Sequence, residues 1–205
     1  MTRSPAKRSE ALRRCPWVDD DAEYQRYHDE EWGVPLTNDR ALFEKLCLEG
    51  FQAGLSWVTI LRKRENFRRA FDRFEPERVA RYSAKDTARL MQEAGIVRNR
   101  AKIEATIDNA KAYLALRKHG TLQAFLWGFL DSGPVQNRHR TMADIPPESE
   151  LSRRISKALK AEGFRFVGPT TMYAFMQSVG MVNDHLLGCH RYIACQKLQR
   201  ASAAP

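Results

Sequence analysis

The chain has 205 residues, 43% of them hydrophobic and 29% charged, which suffices for the core of one domain or of two lobes sharing a core. Its 34 Lys and Arg outnumber its 25 Asp and Glu, giving a formal net charge of +9. That balance is typical of proteins that bind a polyanion and also fits a merely basic surface. With only 4 Cys, no signal peptide and no long apolar run, the sequence predicts a reducing, cytoplasmic setting without a membrane anchor.

The two ends of the chain differ in composition from its middle. Residues 1–14 read MTRSPAKRSEALRR, which predicts a flexible basic tail that scans phosphates or only interacts with solvent. Residues 196–205 are expected to be frayed. Residues 15–195 are expected to form a single all-α domain of two lobes with a pocket between them.

Apolar residues between the tails recur at helical spacing. Asn38 or Asp39 can cap a first helix, in which Cys47 falls on the apolar stripe. Ser83 with Asp86 resembles a capping box, and its helix should stop at Gly95. Two later helices are predicted from Ile103, Ile107, Ala110 and Leu114 before Gly120, and from Leu151, Ile155, Ala158 and Leu159 before Gly163. No adequate segment alternates with period two, so the predicted class is all-α, with residues 133–147 as the longest loop.

Two cysteines and two histidines near opposite ends of the chain could form a metal site. Cys15 precedes His28 by 13 residues, whereas His185 and Cys189 bracket one helical turn or a tight turn. Two thiolates and two imidazoles complete a closed tetrahedral shell, which is typical of structural zinc. The alternative is four ordinary buried side chains, because this spacing is a weak pattern.

The segment 163–171, Gly-Phe-Arg-Phe-Val-Gly-Pro-Thr-Thr, predicts a short hairpin between two helices. Pro169 fits the first helical position, Gly168 permits close backbone approach, and Thr170 or the threonine after it can cap the helix. Free amides at a helix N-terminus, with Arg165 nearby, suit a DNA phosphate. An ordinary helical corner is the alternative.

One carboxylate, Glu49, is accompanied by aromatic residues: Trp17, Tyr24, Tyr27, Trp32 and Trp57. Glu49 lies at a predicted helix end, before a sharp turn at Gly54. Aromatic walls and one acid suit a flat cationic ligand, because rings stack on it and the acid pairs with its charge or N–H edge. The alternative is that the rings belong to the core and Glu49 is solvated.

These motifs together resemble the DNA-3-methyladenine glycosylase I family of the helix-hairpin-helix glycosylase superfamily. The resemblance runs in order from Cys15-Pro-Trp17 through residues 27–35 (YHDEEWGVP), 48–57 (LEGFQAGLSW), 63–66 (KREN) and 166–168 (FVG) to Asn183-Asp184-His185 and Gly188-Cys189. It implies an all-α helix-hairpin-helix glycosylase fold. It also implies one structural zinc, held by Cys15, His28, His185 and Cys189, that ties the N- and C-terminal segments together.

The resemblance further implies hydrolysis of the N-glycosidic bond of 3-methyladenine in alkylated DNA by base flipping. Glu49 is expected to be the catalytic residue. The base pocket is expected to comprise Trp17, Tyr27, Trp32, Glu49 and Trp57. Leu55 matches an apolar plug that fills the gap left by the flipped base. With Leu55, the DNA-binding residues are expected to be Gly54, Arg165, Gly168 and Thr170.

The expected partners are damaged double-stranded DNA and free 3-methyladenine as product, with no membrane and a monomeric chain. No lysine is placed to act as a Schiff-base nucleophile, so a monofunctional enzyme without lyase activity is expected. Asp184 is given no catalytic role. A zinc-stabilised DNA-binding module without catalysis is an alternative, which would not need Glu49 among aromatic rings. A metallohydrolase would need an open zinc position, which four protein ligands do not leave.

Overall fold

The computed structural model describes residues 12–202, and this part of the chain is predominantly helical, which confirms the predicted class. The helices are α1 (Ala22–Glu30), α2 (Asp39–Gln52), α3 (Trp57–Leu61), α4 (Arg64–Ala70), α5 (Pro76–Val79), α6 (Ala84–Gln92), α7 (Arg100–Leu116), α8 (Leu122–Trp127), α9 (Glu150–Ala161), α10 (Pro169–Ser178) and α11 (Tyr192–Ser202). Short 3₁₀ turns lie at Asp72–Phe74 and Met142–Asp144. Within the described residues, no helix has the length and apolar character needed to cross a membrane.

Two very short strands interrupt the helices. Strands β1 (Val135–Gln136) and β2 (Val182–Asn183) run parallel, with Val135 opposite Val182. The first of them lies inside the segment 133–147 that was predicted to be a loop. The pairing joins this segment to the chain just before His185, so it anchors the loop without changing the helical class.

Side-chain caps explain where several helices begin. The Asn38 Oδ1 accepts from the backbone N of Ala41 at 3.0 Å, so Asn38 caps α2. Asp39 instead accepts from the backbone N of Gln123 at 2.8 Å, which fixes α8 against α2. The predicted capping box of Ser83 is present at the start of α6. That helix ends at Gln92, so the prediction that it continues to Gly95 is wrong.

Helix α2 is central to the core and positions the candidate site. It packs against α3, α7, α8 and α10, and it buries Leu42, Phe43, Leu46, Cys47, Leu48 and Phe51. Its C-terminus is closed by Lys102, whose Nζ donates to the carbonyl oxygens of Phe51 at 2.8 Å and Ala53 at 2.6 Å. Because helix ends leave carbonyls without intrahelical partners, this contact fixes the chain where it turns towards Gly54.

Both predicted tail boundaries need correction within the described residues. Helix α11 continues to Ser202, and Gln199 is fully buried and donates to the carbonyl oxygen of Gly33 at 2.8 Å. Residues 196–202 are therefore ordered, because a buried amide anchors them. At the other end, Arg14 pairs with Asp29 at 2.7 Å, and Arg13 accepts a backbone hydrogen bond from residue 190. The rest of the predicted basic tail, residues 1–11, lies outside the described residues.

Helices α9 and α10 form a packed pair joined by a tight connection. The connection uses left-handed backbone at Gly163 (φ +89°) and at Phe166 (φ +55°). Gly168 is the N-cap of α10, and Pro169 occupies the first turn as predicted. No side chain caps this helix, so the predicted threonine cap is wrong: Thr170 lies inside the first turn, where its backbone is already helical.

Candidate functional site

A cavity of about 300 Å³ lies between α1, α2 and α3 on one side and α10 with the segment 142–147 on the other. Its lining includes all five residues predicted for a base pocket: Trp17, Tyr27, Trp32, Glu49 and Trp57. Tyr24, which the sequence groups with Glu49, and Thr170, which was expected to bind DNA, also line the cavity. The other lining residues carry no sequence prediction: Gln52, Met142, Ile145, Pro146, Pro147, Tyr173, Ala174, Gln177 and Ser178.

The aromatic wall is built from edge-to-face and tilted ring contacts. The Trp17 ring lies 5.0 Å from the Trp32 ring and 5.1 Å from the Tyr24 ring, measured between centroids. The Tyr27 and Trp57 rings lie 5.3 Å apart. These distances are within the range of favourable aromatic pairs, which hold each ring in place before a ligand arrives. The result is a preformed apolar surface large enough to stack on a planar base.

Glu49 is the acidic group of the cavity. It lies in the last turn of α2, is 3% exposed, and its Oε2 has no hydrogen-bond partner among the described residues. Burial raises the pKa of Glu49 above its ordinary value, and the positive charge of Lys45 opposes this rise. The indole Nε1 of Trp57 is likewise buried without a partner in the described chain. Two residues of the cavity lining thus carry a buried polar atom without a hydrogen bond to the part of the chain that the structure describes, one an acceptor and one a donor. A ligand that satisfied either atom would be favoured, because an unsatisfied buried polar group costs free energy.

Lys45 is a charged neighbour of the site that the sequence analysis missed. Its Nζ lies 3.4 Å from the Glu49 Oε1, donates to the Tyr27 hydroxyl at 2.9 Å, and stands 3.5 Å above the Trp57 ring centroid. Burial lowers the pKa of Lys45 to about 8, against the attraction of Glu49. The available signal was its position four residues before Glu49 on one helix, which places both side chains on the same face.

A buried carboxylate that does not itself line the cavity binds two side chains of its α10 wall. Asp184 is 1% exposed and accepts from the Tyr173 hydroxyl at 2.7 Å, the Gln177 Nε2 at 2.8 Å and the Asn137 Nδ2 at 2.6 Å. Tyr173 and Gln177 line the cavity, whereas Asp184 does not. Asp184 therefore orients polar side chains of the wall.

The residues predicted to bind DNA are not all brought together. Leu55 is 43% exposed and lies between Gln52 and Trp57, which both line the cavity. Gly54 before it has φ +81°, a left-handed conformation that glycine adopts without strain. Thr170 lines the cavity itself.

Arg165 and Gly168 lie in the connection between α9 and α10, outside the cavity wall. The Arg165 Nη1 contacts the Asp108 Oδ2 at 2.7 Å, and the side chain is 45% exposed. Its backbone N donates to the Asn109 Oδ1 at 2.7 Å, which fixes the hairpin against α7. An exposed ion pair of this kind contributes little to stability, so Arg165 could exchange Asp108 for a phosphate at small cost.

The four predicted metal ligands converge on one point. Their ligand atoms all lie within 4.8 Å of one another, and all four residues are buried. The Cys189 Sγ lies 3.4 Å from the His28 Nε2 and 3.5 Å from the His185 Nδ1, and the Cys15 Sγ lies 3.7 Å from the His185 Nδ1. Tetrahedral coordination with Zn–N near about 2.0 Å and Zn–S near about 2.3 Å requires ligand separations of about 3.3–3.8 Å. The group could therefore hold a metal ion.

Outer contacts orient both imidazoles of this group. The His28 Nδ1 lies 2.7 Å from the Asp29 Oδ1, and the His185 Nε2 lies 3.0 Å from the carbonyl oxygen of Trp32. Burial lowers the pKa of His185, which keeps its imidazole in the neutral form that binds metals. Carboxylate and carbonyl partners on the distal nitrogens are typical of metal-bound histidines. Trp32 thus connects the metal-binding group to the cavity, which it also lines.

Comparisons with known proteins identify relatives of this chain. A sequence model of the methyladenine glycosylase family matches residues 17–192. The chain is 50% identical over 177 residues to a DNA-3-methyladenine glycosylase of Haemophilus influenzae, across 86% of this chain and 96% of the relative.

Two solved structures extend the likeness to three dimensions. A crystal structure of 3-methyladenine DNA glycosylase I has a TM-score of 0.85 at 49% identity, covering 87% of this chain and 98% of its own. A structure on 3-methyladenine recognition by the Staphylococcus aureus 3-methyladenine DNA glycosylase I has a TM-score of 0.84 at 38% identity, covering 88% and 97%. Sequence and fold agree over nearly the whole described chain, which belongs to the methyladenine glycosylase family.

Proposed function

We propose that this chain is a DNA repair glycosylase that hydrolyses the N-glycosidic bond of 3-methyladenine in alkylated DNA. The observation that carries the proposal is the aromatic cavity lined by Glu49, whose buried Oε2 has no hydrogen-bond partner within residues 12–202. The names of the relatives, which refer to 3-methyladenine, support the same substrate.

The cavity provides the contacts that a methylated adenine needs. Its rings stack on the base, and the free Oε2 of Glu49 accepts from the exocyclic amine and offsets the positive charge of the methylated ring. The unpaired Trp57 Nε1 can donate to a ring nitrogen or another acceptor of the nucleotide. A base lacking the charge gains less from Glu49, so the pocket selects the cationic lesion.

The chemistry demands little acid catalysis. Methylation at N3 makes the purine of the nucleotide cationic, so it leaves as a neutral base when the glycosidic bond breaks. Positive charge then passes to the sugar, and water adds at its anomeric carbon and loses a proton to solvent. Glu49 is the catalytic residue in this proposal, because it holds the departing base and contributes negative charge to a cationic transition state.

Access to the base requires its extrusion from the duplex. Leu55 is apolar, exposed and adjacent in sequence to two cavity-lining residues, which suits it to fill the gap that the base leaves. Gly54 gives the turn that presents it. The backbone at Gly168 and the side chain of Arg165 would contact phosphates, while Thr170 would lie between the phosphate contact and the pocket.

A monofunctional enzyme is proposed because Lys45, which lies beside the pocket, is not placed for nucleophilic attack. The Lys45 Nζ donates to the Tyr27 hydroxyl and stands over the Tyr27 and Trp57 rings. Lys45 does not line the cavity. A Schiff base with the sugar would require its amine to pass between these rings, so β-elimination of the strand is not expected.

The group Cys15, His28, His185 and Cys189 is proposed to hold one structural zinc ion. The donor set of two thiolates and two imidazoles, with separations near those of a tetrahedral shell, fits zinc. A bound ion would hold the segment before α1 to the segment before α11 and thereby fix Trp17 and Trp32 in the cavity wall.

None of the four cysteines forms a disulfide, which suits a reducing, cytoplasmic compartment. We propose that the chain acts as a monomer on damaged double-stranded DNA.

The test is incubation of the protein with methylated duplex DNA, followed by chromatography of the released bases. Release of 3-methyladenine with the DNA strand left uncleaved is expected. Glu49→Gln is the site variant, and Glu104→Gln, at a half-buried position of α7 outside the cavity, is a matched control that should retain full activity. A protein that binds methylated duplex without releasing any base would instead be the DNA-binding module without catalysis.

A further inference from the structure

A positive charge already stands behind the pocket that we propose for a cationic base. The Lys45 Nζ is 3.5 Å from the Trp57 ring centroid and 4.7 Å from that of Tyr27. A cation on these rings weakens their attraction for a second cation through the same π-systems. Lys45 is therefore placed to sense the charge of the bound base, an inference that rests on the proposed function.

A second cavity of about 220 Å³ lies on the Lys45 side of these rings. Lys45 lines it together with Glu30 and Glu31, and Tyr27 lines both cavities. The lysine side chain is 12% exposed and the Glu30 side chain is 65% exposed. The second cavity thus gives the amine a route to solvent that does not pass through the base pocket.

The charged and titratable groups that face Lys45 come from three helices. Helix α2 contributes Glu49, α1 contributes Tyr27 and Glu30 together with its C-cap residue Glu31, and α4 contributes Arg64. Glu31 is bound to Arg64, with Nη2–Oε1 at 3.0 Å, so these two charges largely cancel. Glu30 is exposed and screened by solvent. The balance at Lys45 is therefore set mainly by Glu49, and the two form a neutral pair.

We propose that Lys45 compensates the charge of the base pocket, balancing Glu49 when no cation is bound and giving up its proton to solvent when a cationic base binds. One Nζ–H bond breaks, and the proton passes to water through the second cavity. The lone pair left on Nζ then accepts from the Tyr27 hydroxyl, so the 2.9 Å contact persists with its direction reversed. The pocket remains neutral, because the charge of the base replaces that of the lysine beside Glu49.

Repulsion between the bound cation and the Lys45 amine is large enough to displace the proton. A base stacked on the opposite face of these rings has its charge about 7 Å from the amine, and at an effective dielectric constant of about 20 the repulsion is worth roughly tenfold to a hundredfold in an equilibrium constant. Burial has already lowered the pKa of Lys45 to about 8. A further fall of that size makes the amine mainly neutral near pH 7, whereas a solvated lysine would stay charged.

The affinity of the pocket for a cationic base should depend on pH. Lys45 is mainly protonated below pH 8, so a cation must displace its proton there, and its affinity should increase as the pH rises from about 6 to about 8. Above that range the amine is already neutral and the affinity should level off. An uncharged adenine displaces no proton, so its affinity should change much less over the same range.

Isothermal titration calorimetry of the full chain with the permanently cationic 3,9-dimethyladeninium ion tests the proposal. Titrations at pH 7 in two buffers of different ionisation enthalpy give the number of protons released, which is expected to approach one. Binding of the cation without proton release would overturn the inference and leave the proposed function standing. No binding of the cation together with no release of 3-methyladenine from DNA would overturn both.

Two variants separate Lys45 from Glu49 as the source of the proton. Lys45→Arg keeps a positive charge that cannot be lost, so it should release no proton and bind the ion at least tenfold more weakly at pH 8. Lys45→Met has similar length without charge and should bind within about threefold of the parent chain at that pH. Lys118→Met, at an exposed position, is the matched control. Equal affinities of the Arg, Met and parent chains would contradict the proposal, and the parent calorimetry decides the matter if a variant fails to fold.

Discussion

The Sγ of Cys15 lies 3.7 Å from the Nδ1 of His185, although 170 residues separate them in the chain. This contact brings the segment before α1 against the segment before α11. Trp17 and Trp32, which line the cavity, lie on either side of α1 in the sequence and contact each other. The geometry of the candidate base pocket therefore depends on a contact between the two ends of the chain.

Replacement of one of the four proposed metal ligands should lower the stability of the fold. His185→Ala is expected to abolish stoichiometric zinc and to lower the free energy of unfolding by roughly 3–5 kcal/mol, because loss of a metal site is among the large single-residue effects. Metal analysis by mass spectrometry and denaturant unfolding check this result. His119→Ala, in the exposed turn after α7, is the control. Gently purified parent protein without zinc would contradict the metal assignment.

The C-terminal helix should contribute to stability. Gln199→Leu removes the donor to the carbonyl oxygen of Gly33 and leaves that acceptor without its partner, which costs about 1–3 kcal/mol. The measurement is the midpoint of urea unfolding. Gln196→Leu, at a half-buried position three residues earlier, controls for the added apolar surface. Unchanged stability in Gln199→Leu would show that this hydrogen bond does not anchor the C-terminal segment, which the sequence predicted to be frayed.

Glu49→Gln should reduce release of 3-methyladenine about tenfold to a hundredfold, because a misplaced buried polar group costs about 1–3 kcal/mol. The amide keeps the size of the carboxyl group but presents a donor where an acceptor is needed. Single-turnover release from methylated duplex is the readout, with circular dichroism and zinc content as controls for folding. Release at the parental rate would remove Glu49 from the proposed mechanism.

Leu55→Ala should slow excision from duplex DNA more than it weakens binding of the free base. Loss of the exposed apolar group removes about 1–2 kcal/mol of contact with the opened stack, which is roughly tenfold in the rate of excision. Binding of free 3-methyladenine should be unchanged, because Leu55 does not line the cavity. Comparable losses in both assays would indicate that Leu55 supports the pocket instead of filling the duplex.

The helical class and much of the local structure follow from short-range patterns in the amino-acid sequence. Asn38 and Ser83 cap helices as their side chains predict, because capping depends on residues three positions away. The same short range explains two errors. Gln92 ends α6 before Gly95, and the packing of Gln199 extends α11 beyond the expected fraying point.

The site residues were identified through family motifs. Their neighbours in space depend on the tertiary structure. It brings Cys15 and Cys189 to one point, supplies Tyr173 and Gln177 from α10, and places Lys45 behind the aromatic wall. Helical periodicity states which face of a helix is apolar, but not which distant helix covers it. That choice depends on packing among segments far apart in the chain, so the charge balance of the pocket appears only in the folded protein.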